Sequence, residues 1–195
     1  MISDSHRQAI INRITSFCEM SPAFYNALMP LLKLYNFSNS EYILRKGRRA
    51  KFAWFVLKGY LREVTNASDS TTHTTWFWYP DDFVLAYPVF FNQKDAVSDI
   101  EVLPNTSLLE LSYEDFLSLK DSFPEVNKLV EEVKFYYDTA RIDHHEDLFN
   151  LSGKQNYQKF HSAHPGLFNV AKHKDITSFL GLKDFSFRRY YSLLP

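Results

Sequence analysis

Glycine is scarce in this 195-residue chain, with five in all, and cysteine occurs once, as Cys18. A single cysteine excludes an intrachain disulfide framework, a cysteine-ligated iron–sulfur cluster and a cysteine-based structural zinc site. Long apolar runs are also missing. The longest, about Phe52–Leu57, falls far short of the roughly 18 residues of a membrane helix. Neither a glycine-rich phosphate loop nor a Gly-x-Ser-x-Gly or His-Glu-x-x-His motif is present, so no enzyme class has a residue constellation behind it. The start, Met1-Ile2-Ser3-Asp4-Ser5-His6-Arg7, does not read as a signal peptide, and the expectation is a cytoplasmic protein without a membrane partner.

What the chain does have is apolar residues, 45% in total with 17% aromatic, enough to bury a sizeable core in one domain or two small ones. Its formal net charge of −1 hides an asymmetry. Residues 1–150 carry 15 basic and 21 acidic side chains, a balance of −6, whereas residues 151–195 carry seven basic and two acidic, a balance of +5. A basic C-terminal segment on an acidic body suits a polyanion partner, or else is a basic surface with no specific partner.

The chain reads in three blocks. Ile10, Ile11, Ile14, Phe17 and Cys18 recur at helical spacing, and Ser21-Pro22 caps a second short helix that ends near Tyr35. From there to about Leu111, short runs rich in β-branched and aromatic residues predict strands over 42–45, 53–57, 60–65, 71–79, 84–87, 98–103 and 107–111. The breaks between them carry turn residues, among them Lys46-Gly47, Lys58-Gly59 and Pro80-Asp81-Asp82. Many short strands with close turns predict a barrel or roll. The third block is helical. Tyr113–Leu117 opens a short helix and Phe123-Pro124-Glu125 a long one, in which Val126, Val130, Val133, Tyr137, Ala140 and His144 form a stripe of alternating four- and three-residue steps. Such a stripe is either the seam of a coiled coil or a face packed on the chain's own sheet. Ser152-Gly153 breaks that helix and sets a boundary between a unit of residues 1–150 and one of residues 151–195.

The spacing from Asp175 to Leu194 fits a helix-turn-helix. Gly181 stands where the turn needs positive φ, Ile176 and Leu180 form an inward pair, Leu182 fills the turn, and Asp184 suits the N-cap of the second helix. Opposite the buried face stand Lys183, Ser186, Arg188, Arg189 and Ser192. Arg189 and Lys183 are the candidates for base contact, since a guanidinium can bond guanine O6 and N7 together, and Lys172, Lys174 and Arg188 the candidates for phosphates.

In this order, the blocks resemble the cyclic-AMP-receptor-protein/fumarate-nitrate-regulator (Crp/Fnr) family of bacterial transcription factors. Tyr42-Ile43-Leu44-Arg45-Lys46-Gly47 with Ala53–Arg62 is similar to the family's paired-glycine strands, Leu108–Phe116 to its last strand and following helix, and Asp175–Leu194 to its DNA-reading hairpin. The resemblance implies an α+β fold: an N-terminal cyclic-nucleotide-binding-like β-roll of the jelly-roll type with flanking helices, a long dimerisation helix, and a C-terminal helix-turn-helix, winged-helix-like without a complete wing. It implies a homodimer on double-stranded DNA, RNA polymerase as a further partner, and a small-molecule effector of unknown identity. The dimer seam would be Val126, Val130, Val133, Tyr137, Ala140 and His144.

At the family's phosphate cassette the sequence departs from it. Leu85 and Ala86 replace glycine and glutamate, Val97 replaces arginine, and Ser98 alone remains. No arginine lies between Arg62 and Arg141. Without that guanidinium a cyclic phosphate loses a charge-assisted pair of roughly 1.5–3 kcal/mol and meets Asp81, Asp82, Asp95 and Asp99. The expectation is a regulator that does not respond to cyclic AMP and holds no cofactor; the alternative is a ligand-binding or protein-interaction module of the same fold that has lost sequence-specific DNA binding. Trp76, Phe77, Trp78, Tyr79, Tyr87 and Phe90 are core residues or the lining of an apolar ligand site. His161/His164 and His144-His145-Glu146 lack further ligands at metal-site spacing, and Cys18 on an apolar helix face reads as an inert thiol.

Overall fold

The computed structural model describes residues 2–66 and 71–183. Helices α1 (Asp4–Phe17) and α2 (Pro22–Leu28) open the chain, each held at its N-terminus by a serine. Ser3 closes a capping box with His6, and the Ser21 hydroxyl accepts from the Phe24 N–H. Eight strands follow: β1 (Lys33–Phe37), β2 (Glu41–Leu44), β3 (Phe52–Lys58), β4 (Leu61–Asn66), β5 (Thr72–Trp78), β6 (Phe83–Val84), β7 (Asp99–Val102) and β8 (Thr106–Ser112). They form two four-stranded antiparallel sheets, ordered β1-β8-β3-β6 and β2-β7-β4-β5. A four-residue helix, α3 (Val89–Asn92), interrupts the strands. Helices α4 (Tyr113–Ser122), α5 (Glu125–Asn150), α6 (Gly153–Ala163) and α7 (His173–Phe179) complete the described chain.

β3 shows why the roll forms. Trp54, Phe55 and Val56 are buried in succession rather than alternately, because the strand is covered on both faces. Trp54 and Val56 join the core between the sheets with Leu61, Phe77 and Leu108, while Phe55 joins Ile10, Ile14, Phe24 and Leu109 under the helices. Gly59 is required in the tight turn to β4. Its φ is +87°, and a Cβ there would lie 2.6 Å from the Thr106 Cα, a backbone atom that cannot yield.

Two expectations need correction. The N-terminal helical block ends at Leu31, not near Tyr35: Lys33–Phe37 is an edge strand, created by pairing with Thr106–Glu110 some seventy residues along the chain. The strand expected over 84–87 stops at Val84, because Pro88 has no N–H for a ladder and the Ala86 carbonyl accepts from Phe90 N–H instead (2.8 Å).

Candidate functional site

Three polar constellations lie where the second sheet meets α5, α6 and α7. The first surrounds Ser98. This hydroxyl is buried and donates to Glu63 Oε1 on β4 (2.7 Å); Thr75 on β5 donates to Oε2 (3.1 Å), and both terminal nitrogens of Arg141 on α5 reach the same oxygen at 3.1 Å. Arg141 also lies over the Trp76 ring, 4.7 Å from its centroid. Glu63 and Trp76 are cross-strand partners, so the antiparallel register puts the carboxylate and the indole together beneath α5. The chain thus supplies its own carboxylate to Ser98, the one polar side chain among the four expected cassette positions. Of the other three expected positions, Ala86 is buried, Leu85 packs against the core, and Val97 is 66% exposed.

The second constellation is a buried ion cluster on the same sheet. Arg62 bonds Glu101 through Nε and an Nη (both 2.6 Å), Thr74 Oγ1 at 2.9 Å, and Asp175 Oδ1 at 2.7 Å. Glu101 stands directly opposite Arg62 in the β4–β7 ladder, whereas Asp175 comes from the first turn of α7. α7 lies along β5, with Ile176, Thr177 and Phe179 buried and the Thr74 N–H donating to Ser178 Oγ at 3.1 Å. Burial raises the Asp175 carboxyl above its ordinary range while the Arg62 guanidinium pulls it down.

The third constellation centres on Asp82, in the turn between β5 and β6. Its carboxylate accepts from the Tyr79 N–H (2.9 Å) and from the Tyr137 hydroxyl (3.0 Å), with Arg13 at 3.7 Å. Desolvation is the largest influence, and pushes Asp82 up to about 6 despite those hydrogen bonds. Beside it opens a cavity of about 310 Å³ lined by β5, α5, α6 and α7. His144 stacks on Phe179 (3.9 Å between centroids, 3° between planes) and His164 on Tyr79 (3.7 Å, 10°) in its walls. Burial holds both imidazoles below their ordinary pKa. A separate cavity of about 110 Å³ has an entirely apolar lining under α1 and α2, with Leu85 in its wall.

The stripe read as a dimer seam is spent inside the chain. Val126 and Val133 are buried, Val130 and Ala140 pack against core clusters, Tyr137 bonds Asp82 and Phe83, and His144 stacks on Phe179. The apolar residues that α5 leaves exposed are others, chiefly Phe135 (72%), Ile142 (58%) and Phe149 (76%). Among the expected DNA contacts, Lys172, Lys174 and Lys183 are exposed around α7 and its following turn, where Gly181 has φ +62°. Ser186, Arg188 and Arg189 lie outside the described residues, as do Asp184, Phe185 and Ser192. Of the aromatic candidates, Trp76, Phe77, Trp78 and Phe90 are buried, Tyr79 packs against the same core, and Tyr87 is 46% exposed. The described residues contain no group of three or more potential metal-ligating side chains and no helix long and apolar enough to cross a membrane.

Two sheets in this order and a long helix closing the roll define a class. Residues 35–123 match the cyclic nucleotide-binding domain family, and the roll is a domain of that family. The chain as a whole has the fold of Crp/Fnr-type regulators. It is similar to FixK2 from Bradyrhizobium japonicum (16% identity, TM-score 0.65, covering 83% of each chain). It is also similar to the c-di-GMP-responsive global regulator CLP of Xanthomonas campestris (12%, TM-score 0.65, covering 88% of this chain and 90% of that one), and to the catabolite activator protein of Thermus thermophilus (13%, TM-score 0.55, 92% and 85%). Among curated protein sequences none matches.

Sequence reasoning missed Glu63, Arg141 and the Arg62–Asp175 pair. One signal was available: Arg62 and Glu63 stand between the apolar residues Leu61 and Val64 within a strand, and charges in such a place are paired. Their charged partners lie 39 to more than 100 residues away, and no local pattern marks them.

Proposed function

We propose that this chain is a homodimeric, DNA-binding transcription regulator whose roll does not respond to cyclic AMP. The observation that carries the second half of this reading is the Glu63 carboxylate on Ser98. A cyclic phosphate at that serine would sit beside a fixed carboxylate whose countercharge, Arg141, is already engaged. Two anions a few ångströms apart in a partly desolvated site repel by several kcal/mol, at roughly 4 kcal/mol for 4 Å and an effective dielectric constant near 20. Isothermal titration of the full chain with cyclic AMP is expected to give no heat of binding up to millimolar nucleotide; micromolar affinity would overturn the reading.

DNA binding is supported by the fold, by the +5 balance of residues 151–195 and by the exposed Lys172, Lys174 and Lys183 around a glycine turn. Arg189 and Lys183 are assigned to bases and Lys172, Lys174 and Arg188 to phosphates. A dimer would set two such hairpins about 34 Å apart, in successive major grooves. Its seam is the face of α5 bearing Phe135, Ile142 and Phe149, which recur at seven-residue intervals, the repeat that keeps one line of side chains facing a second copy of the same helix. Selection from random duplexes should enrich a palindrome with half-sites one helical turn apart. Recovery of unenriched sequence would count against sequence-specific reading.

A further inference from the structure

Under α1 and α2 lies the apolar cavity that the reading above leaves unused. Protein interiors are packed as densely as organic crystals, and voids larger than a water molecule are few in a domain. This one measures about 110 Å³ and sits where α1, α2, α4 and α5 close over the sheet β1-β8-β3-β6. Its lining side chains are all hydrocarbon but one. The exception, Trp54, has its indole N–H committed to Glu110 Oε2 at 2.9 Å. Ser98, Glu63, Arg141, Arg62 and Asp82 all lie outside its wall, and of the four expected cassette positions Leu85 alone reaches it. A water molecule held there would need two or more polar partners. A charged or hydrogen-bonding ligand would be desolvated without compensation.

We infer that this cavity is a binding site for one small uncharged aromatic molecule, a single ring bearing at most alkyl groups. The lining sets the polarity, since it offers neither charge nor a free donor. The volume sets the size: apolar cavities of about 150 Å³ stay dry and take up benzene or xenon, and this one is of the same order. The wall favours a ring. Phe55 meets Phe83 at 5.3 Å between centroids and Phe90 meets Phe116 at 5.5 Å, both tilted, and an aromatic ligand extends the same contacts. Val126, Val130 and Val133 bring the inward face of α5 to the ligand, on the helix whose outer face carries the proposed seam. Any consequence for assembly or DNA binding rests on the regulator reading, so the test measures neither.

The full chain is titrated with toluene, phenol and benzoate, following heat and the methyl resonances of leucine and valine. Toluene is expected to bind saturably at one site below millimolar concentration, and to raise the thermal midpoint as it does so. Phenol should bind about tenfold or more weakly, because its hydroxyl finds no partner, and benzoate should not bind. Ala53 is the smallest side chain in the wall, and Ala53→Leu fills the cavity; this variant should lose toluene binding while keeping the parent's circular dichroism. Leu129 also lines the cavity and is half-buried, so Leu129→Ala should enlarge it and shift the preference from toluene to naphthalene. Absence of saturation at the aqueous solubility of toluene, phenol bound as tightly as toluene, undiminished binding in a folded Ala53→Leu variant, or an unchanged preference in a folded Leu129→Ala variant each overturns the proposal.

Discussion

Arg62 on β4 ties β5, β7 and α7 together from a buried position. It satisfies two carboxylates and a threonine hydroxyl while 5% exposed. Arg62→Ala would leave Glu101 and Asp175 buried without their cation, and loss of one partner from a buried pair costs about 3–5 kcal/mol. Urea unfolding followed by circular dichroism should show that loss. Asp175→Asn should cost less, since Arg62 keeps Glu101. Asp82 makes a prediction in pH. Its folded value of about 6 exceeds the ordinary 3.8, so the folded state binds more protons than the unfolded chain between those values. Stability from this group is therefore complete below about pH 4 and is lost as pH rises through 6, by roughly 3 kcal/mol at about 1.4 kcal/mol per tenfold change. Asp82→Asn should flatten that part of the stability profile. Neither role was legible in the sequence, where Asp82 reads as a turn residue and Asp175 as the start of a helix.

Helix α5 divides its duties by face. The stripe through Val126, Val133, Tyr137 and His144 faces the chain's own roll and α7, while Phe135, Ile142 and Phe149 face outward. Substitutions on the two faces should therefore fail differently. Val133→Ala should lower stability by about 1–3 kcal/mol, as removal of buried methyls does, with oligomeric state unchanged. If the proposed dimer forms through the second face, the pair Phe135→Glu and Ile142→Glu should leave the thermal midpoint of the protomer nearly unaltered and yield a monomer by sedimentation velocity. Periodicity alone had left both uses of the first stripe open. Both stripes have the spacing of a helix face, and which one turns inward depends on where the roll presents its own apolar surface.

The whole chain couples its acidic roll to its basic C-terminal helices by bringing α7 onto β5, through a buried ion cluster, a hydrogen bond from Thr74 to Ser178 and the stacking of His144 on Phe179. Roll and C-terminal helices are expected to unfold in one cooperative transition, which Arg62→Ala should split or broaden in calorimetry. In the proposed DNA complex, three phosphate-directed cations per subunit would give six per dimer, and log affinity should then fall against log salt with a slope of roughly −5. Lys172→Ala and Lys174→Ala together should weaken binding uniformly across sequences and reduce that slope by about four, one for each charge removed from the dimer.

Block order, strand-rich middle, turn glycines, long helix and charge asymmetry were all legible in the sequence, because each follows from local propensity and near-neighbour periodicity. So was the lack of any arginine between Arg62 and Arg141. The tertiary structure alone decided what surrounds Ser98. The carboxylate on Ser98, the partner of Arg62, the inward face of α5, the edge strand β1 and the aromatic cavity all depend on contacts between residues 35 to more than 100 positions apart. Such contacts form only when the two sheets and the helices packed on them come together, and their energies come from desolvation and pairing, which no short window of sequence contains.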